Sequence, residues 1–199
     1  MPANIVNVGY DSTNYYIIAG TAKAMLLVDC GWPGTMGRLK SRIKRKGIEF
    51  HQVQYLLVTH YHPDHAGLAQ ELRNAGMKLI LMDTQVPFVG QMKKYMKPNS
   101  GYVDIVVEGS FMLKTADSRS FLKQIGINGE IISTPGHSPD SVSLILDDGI
   151  AFTGDLTHES LLPAEDTLCR ESWSRIYGLG VRKVYPAHGG EQYRQRDGE

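Results

Sequence analysis

Short apolar runs alternate with amphipathic stretches along most of the chain. "TNYYIIA" (13–19) and "AMLLVD" (24–29) read as strands, joined at 20–23 into a hairpin. Residues 35–46 set Met36, Leu39 and Ile43 at helical spacing, and Gly47 supplies a stop. "VQYLLVT" (53–59) is almost continuously apolar, as in a strand buried on both faces. Leu68 and Leu72 share a helix face that ends at Gly76, "KLILM" (78–82) is a strand, and 84–96 is expected to be helical. The second half repeats the alternation. Helices are expected at 117–125 and 167–178. Strands are expected at 130–134, 141–146, 150–154 and 183–187. Hairpins first and helix crossovers afterwards, in two halves, predict α/β architecture in one domain spanning residues 1–199.

Composition narrows the class. The chain has 199 residues, 42% hydrophobic and 21% charged, with a formal net charge of zero. That balance gives no global field for nucleic acid or an anionic membrane. No apolar run approaches the ~20 residues of a membrane span. The start, "MPANIVNVGYDST", lacks the basic end and long apolar core of a signal peptide. Two cysteines, Cys30 and Cys169, do not make a disulfide framework. A reduced, cytoplasmic protein acting on a small molecule is expected, with neither membrane nor nucleic acid as partner. Oligomeric state is left open.

The chemistry is concentrated just past the strand ends. "YLLVT" leads into His60-Tyr61-His62-Pro63-Asp64-His65, "EIISTPG" into His137, "IAFTG" into Asp155 and "KVYPA" into His188. Five of the seven histidines fall in these positions, leaving His51 and His158 outside. Strand ends of α/β proteins are where sites are built. Imidazole and carboxylate without thiolate suit zinc, iron or manganese. Catalytic zinc keeps about three protein ligands and an open position, so seven candidates suit two ions better than one. His60 and His62 alternate in an extended segment, and Pro63 bends the chain so that Asp64 and His65 turn toward a second position.

At these residues the sequence resembles the metallo-β-lactamase-fold superfamily, over most of its length. The resemblance rests on "NYYIIAG", "MLLVDCG", "THYHPDHAG", "STPGHSPDSVSL", "FTGD" and "YPAHG". It implies a four-layer αβ/βα sandwich with a dinuclear site at one edge and two zinc ions as cofactors, iron or manganese being alternatives. By that resemblance His60, His62 and His137 hold the first metal, and Asp64, His65 and His188 the second. Asp155 bridges them, and Asp29 in "VDCG" supports the site from behind. A hydroxide between the ions would be the nucleophile, zinc lowering the pKa of water from 15.7 to roughly 7.

Within the superfamily the expected activity is cleavage of a small ester, lactone or thioester. Asp155 separates the chain from the zinc β-lactamases, which carry Cys or Ser there. Glyoxalase II and persulfide dioxygenases share the ligands but continue "TGD" differently, and glyoxalase II adds a helical domain where only 11 residues follow His188. Flavodiiron proteins replace a histidine of the first motif with Glu, and the nucleases carry large insertions. Quorum-quenching lactonases place Tyr three residues after the bridging Asp, where this chain has His158. Asp64 and His158 are assigned catalytic roles, His158 as a donor to the oxyanion or leaving group. The alternatives are a phosphodiesterase or nuclease, favoured by the basic segment "RLKSRIKRK" (38–46), and a mononuclear iron dioxygenase. Cys30 reads as a small buried residue, and Tyr61 as lining or packing. Phe88, Met92, Tyr95 and Met96 read as core or as a wall over the metals. Residues 138–141 read as a turn that orients His137.

Overall fold

Alternation within each strand decides the layering. The computed structural model describes residues 4–21 and 24–194, and among these the strands form two sheets. The first holds, in spatial order, β1 (Asn4–Asn7), β2 (Tyr16–Ala19), β3 (Met25–Val28), β4 (Val53–Leu57), β5 (Lys78–Met82) and β6 (Phe111–Leu113). The second runs β11 (Gln192–Tyr193), β10 (Lys183–Pro186), β9 (Ile150–Gly154), β8 (Val142–Leu146), β7 (Gly129–Ser133). Each sheet mixes antiparallel hairpins with parallel crossovers. β1–β2–β3 and β7–β8–β9 are antiparallel, whereas β3 to β6 and the β9–β10 pair are parallel.

Odd and even residues of one strand enter different cores. On β3 Leu27 faces outward while Leu26 and Val28 face the other sheet; on β5 Leu79 and Leu81 oppose Ile80 and Met82 in the same way. The outward face of the first sheet is covered by α1 (Met36–Arg45), through Leu39 and Ile43, and by α3 (Ala69–Asn74), through Ala69 and Leu72. The layer between the sheets joins Leu26, Leu57 and Ile80 to Leu144, Val142 and Phe152. Beyond the second sheet, Trp173 and Ile176 of α5 (Thr167–Gly178) pack on Ile145, Ala151 and Val184. The order is helix, sheet, sheet, helix, the expected four-layer αβ/βα sandwich. Each fully buried Leu or Ile contributes about 1.5–3 kcal/mol by leaving water. A charge at Ile43 would therefore detach α1. α4 (Ser118–Gln124) closes the middle layer with Phe121 and Leu122. No helix among the described residues is long and apolar enough to cross a membrane.

Several elements differ from the sequence reading. The segment 84–96 is not an α-helix: turns lead into a 3-10 run over Val89–Tyr95. Pro87 and Gly90 disfavour a regular helix, and the buried Gln85 amide is drawn inward to backbone carbonyls. The first strand of the hairpin begins at Tyr16, because Thr13 and Asn14 are held by Tyr10 and by the Ala187 carbonyl instead. The helix after the histidine motif is split into α2 (Pro63–Ala66) and α3. The hairpin turn at 20–23 includes residues 22 and 23, which lie outside the described residues. β6 and β11, of three and two residues, are too short to have carried a pattern, and β1 holds only Ile5 and Val6 between two asparagines.

Candidate metal centre

Strand direction brings the ligand-type residues to one edge. β7, β9 and β10 run the same way, so His137, Asp155 and His188 follow their ends at a common rim. β4 delivers His60 and His62 to that rim from the other sheet. Gly67 and Gly154 are required by close approach. A Cβ at Gly67 would lie 2.4 Å from both Pro33 Cδ and the Pro63 oxygen. At Gly154, where φ is +57°, a Cβ would lie 2.5 Å from Thr59 Oγ1.

Two groups of donors result: His60, His62 and His137, and beside them Asp64, His65, Asp155 and His188. Within each, the ligand atoms lie within 4.8 Å of one another. In the first, His62 Nδ1 is 3.0 Å from His60 Nε2 and 3.1 Å from His137 Nε2. Nitrogens about 2.05 Å from a tetrahedral zinc would stand roughly 3.3 Å apart, close to this spacing. In the second, His188 Nε2 lies 3.3 Å from both Asp64 Oδ2 and Asp155 Oδ1. Asp155 Oδ2 faces both groups, at 3.2 Å from His65 Nε2, 3.6 Å from His137 Nε2 and 3.9 Å from His60 Nε2. The buried atoms His65 Nε2 and Asp155 Oδ1 nevertheless make no well-directed hydrogen bond. Buried polar atoms are rarely left so, and a cation between them satisfies both. The residues therefore fit a metal.

A supporting layer fixes which nitrogen faces inward. Asp29, buried and at φ +61°, accepts the Thr59 amide at 2.7 Å and the Thr59 hydroxyl at 2.9 Å. It also accepts His65 Nδ1–H at 2.8 Å. With its proton given to Asp29, the Thr59 hydroxyl is left to accept His60 Nδ1–H at 3.2 Å. His188 Nδ1–H donates to the Ser12 carbonyl at 2.8 Å. In all three rings Nε2 is thereby presented to the site.

The two groups differ electrically. Burial, reinforced by the neighbouring histidine rings, holds the pKa of His60 well below its usual value, so it is neutral. Burial also lowers His137. His65 is pushed down by burial too, but Asp29, Asp155 and Asp64 outweigh this and raise it well above the usual range. Burial alone would raise Asp64, yet His65 and His188 bring it down to about 2. The same balance lowers Asp155.

His158 joins neither group. It is half-exposed, its Nδ1 accepts the Ser160 amide at 3.2 Å, and its ring lies edge-on to Trp173 with centroids 6.0 Å apart. Asp29 stands where the resemblance put it. Cys30 is buried with its thiol on the His65 carbonyl, and Tyr61 is buried rather than lining the site. Of the 84–96 residues, Met92 is core, whereas exposed Tyr95 sets its ring 5.4 Å from that of His62. Asp140, read only as part of a turn, accepts the Tyr61 amide at 2.7 Å and so braces the histidine loop. Gln85 braces the same loop by donating its Nε2–H to the Val58 carbonyl at 2.9 Å. Asp140 stands beside His137 in "HSPDS", which is the signal that could have found it; Gln85 has none.

Residues 8–190 match the family model described as the metallo-beta-lactamase superfamily. The chain belongs to the metallo-beta-lactamase superfamily. A lactamase-like protein of Trichophyton rubrum is 30% identical over 184 residues, which cover 89% of this chain and 49% of that protein. A probable metallo-hydrolase of Methanocaldococcus jannaschii is 28% identical over 203 residues, covering 91% of this chain and 89% of that protein. The chain spans about half the length of several of the curated relatives it matches. The crystal structure of a metallo-beta-lactamase family protein from Thermus thermophilus superposes with a TM-score of 0.73 at 20% identity, over 96% of this chain and 74% of that one. That likeness establishes the fold, and the four-layer sandwich is the one this superfamily shares.

Proposed function

We propose that the chain holds two metal ions, zinc with iron or manganese as alternatives that the donor set also suits, and cleaves a small ester, lactone or thioester. Membership of the superfamily and the likeness to a probable metallo-hydrolase support metal-dependent hydrolysis. His60, His62 and His137 would hold one ion, Asp64, His65 and His188 the other, with Asp155 between them. The observation that carries this reading is Asp155 Oδ2, one carboxylate oxygen within 3.9 Å of nitrogens from both groups. When bound, the ions polarise the scissile carbonyl and make water acidic enough to ionise near neutral pH.

The chain's own residues do the rest. Asp29, Thr59 and Ser12 hold three imidazoles in the tautomer that ligates. Asp64 is ionised throughout the neutral range, with a pKa of about 2. That suits it to holding a cation and orienting water rather than to taking a proton. At His158 the Ser160 amide occupies Nδ1, which leaves the proton on Nε2 as a donor for the oxyanion or leaving group. Tyr95 gives the acyl side an apolar wall beside His62.

The test is hydrolase profiling of metal-replete protein on lactones, thioesters, β-lactams and phosphodiesters, with elemental analysis of the same sample. About two zinc ions per chain and ester or thioester turnover that a chelator abolishes are expected. One iron per chain would favour an oxygenase. Faster cleavage of bis-p-nitrophenyl phosphate than of every ester would favour a phosphodiesterase.

A further inference from the structure

Helix α1 carries a charge pattern that the metal centre does not use. Residues 38–46 hold six basic residues and no acidic one, although the chain balances 21 basic against 21 acidic. The remainder is therefore left with 15 basic against 21 acidic residues, and the positive charge is concentrated on this helix. Burial of Leu39 and Ile43 against the first sheet turns the opposite face to solvent. On that face Arg38, Arg42 and Arg45 recur at intervals of four and three. With Tyr10, Asp11 and Ser41 they line a cavity of about 380 Å³. Arg38 is paired with Asp11 at 2.6 Å, while Arg42 and Arg45 form no ion pair among the described residues.

This cavity and the metal centre share a wall. Tyr10 and Asp11 line the cavity, and the next two residues touch candidate ligands. Ser12 accepts from His188 at 2.8 Å, and Thr13 Oγ1 lies 3.4 Å from Asp64 Oδ2. A ligand seated on the arginines thus lies across one loop from the reacting end.

We propose that the arginine groove is a subsite for a phosphate group that the substrate carries away from its scissile bond. The proposal rests on the reading of the metal centre as an ester or thioester hydrolase. Guanidinium forks match phosphate oxygens in pairs, and with Asp11 neutralising Arg38 the groove offers two unpaired cations to a phosphate dianion. The concave form suits a small phosphate ester. A single-stranded nucleic acid would need an exposed aromatic platform for its bases. The groove's aromatic, Tyr10, is only 5% exposed, and its hydroxyl is bonded to Thr35 at 2.6 Å.

The experiment is calorimetry on metal-replete protein with adenosine 3′,5′-bisphosphate, with adenosine as the uncharged control and polyuridylate as the polyanion. The bisphosphate should bind saturably and more weakly as salt rises, and adenosine should not bind. Arg42→Gln/Arg45→Gln changes two exposed positions to another good helix former. It should weaken the bisphosphate roughly 10- to 100-fold with metal content unchanged. In kinetics, the preference for acetyl-coenzyme A over S-acetylpantetheine should collapse in the same variant. If neither thioester is cleaved, the hydrolase reading suffers while the binding result still decides the subsite. Any of three results would overturn the proposal. These are no saturable binding of the bisphosphate, undiminished affinity in the double variant (placing the phosphate on the metals), or tighter binding of polyuridylate that is lost in that variant.

Discussion

The all-histidine group and the mixed carboxylate group sit side by side, yet they solve the ligand-free state differently. His60 and His137 are desolvated and their neutral forms favoured, so these two can take a cation without first giving up an extra proton. In the second, His65 is surrounded by Asp29, Asp64 and Asp155, which favour its charged form. On the proposed two-ion reading the two groups should therefore differ in affinity and in the pH at which they fill, with Asp155 between them.

Removing that joint should have the largest effect. Asp155→Ala should cut kcat/KM by about 10³-fold or more and bring metal content from near two per chain toward one or below. Full retention of both ions in the variant, read by elemental analysis, would break the comparison.

Asp29→Asn should sharpen it. The substitution weakens the partner of His65 Nδ1 while leaving every candidate ligand in place. Metal affinity of the carboxylate group should fall about 10- to 100-fold, measured by chelator competition, with the histidine group less affected. Equal losses at both would show that Asp29 acts as much through Thr59 and His60 as through His65.

Acid should then distinguish the groups in metal-free protein. The pKa of Asp64 is depressed to about 2 in the folded chain, against about 3.9 unfolded. Its contribution is present above pH ~4 and is lost as pH falls through 2, a difference on the order of 1–2 kcal/mol. Chelator-treated Asp64→Asn should show a flatter fall in stability across that window than the parent chain. Identical slopes in denaturant titrations would remove Asp64 from the account.

The smallest effect belongs to His158. His158→Ala should keep both metals and lower kcat about tenfold, the low end for a lost proton donor. Loss of the Ser160 contact should also cost about 0.5–1 kcal/mol. A lower Tm with unchanged kcat would leave His158 as a cap on the 3-10 turn that follows it.

The sequence by itself determined the strands buried on both faces, the helix Thr167–Gly178 to the residue, and seven ligand-type side chains after strand ends. Period and residue chemistry are local properties, and they survive folding. The segment 84–96 was misread because helical spacing of its apolar residues came from packing over the histidine loop, not from a helix. The surroundings of the site were decided only in three dimensions. The residues just past each strand end include the ligands, but β2 and β8 run against their neighbours, so it is their beginnings that face the site. Hence Ser12 and Thr13, before β2, hold His188 and Asp64, and Asp140, before β8, holds the histidine loop. A local hairpin signal gives the direction of β2 relative to β3, but which loops of the two sheets meet at one rim is set by contacts between distant segments, which no local pattern encodes.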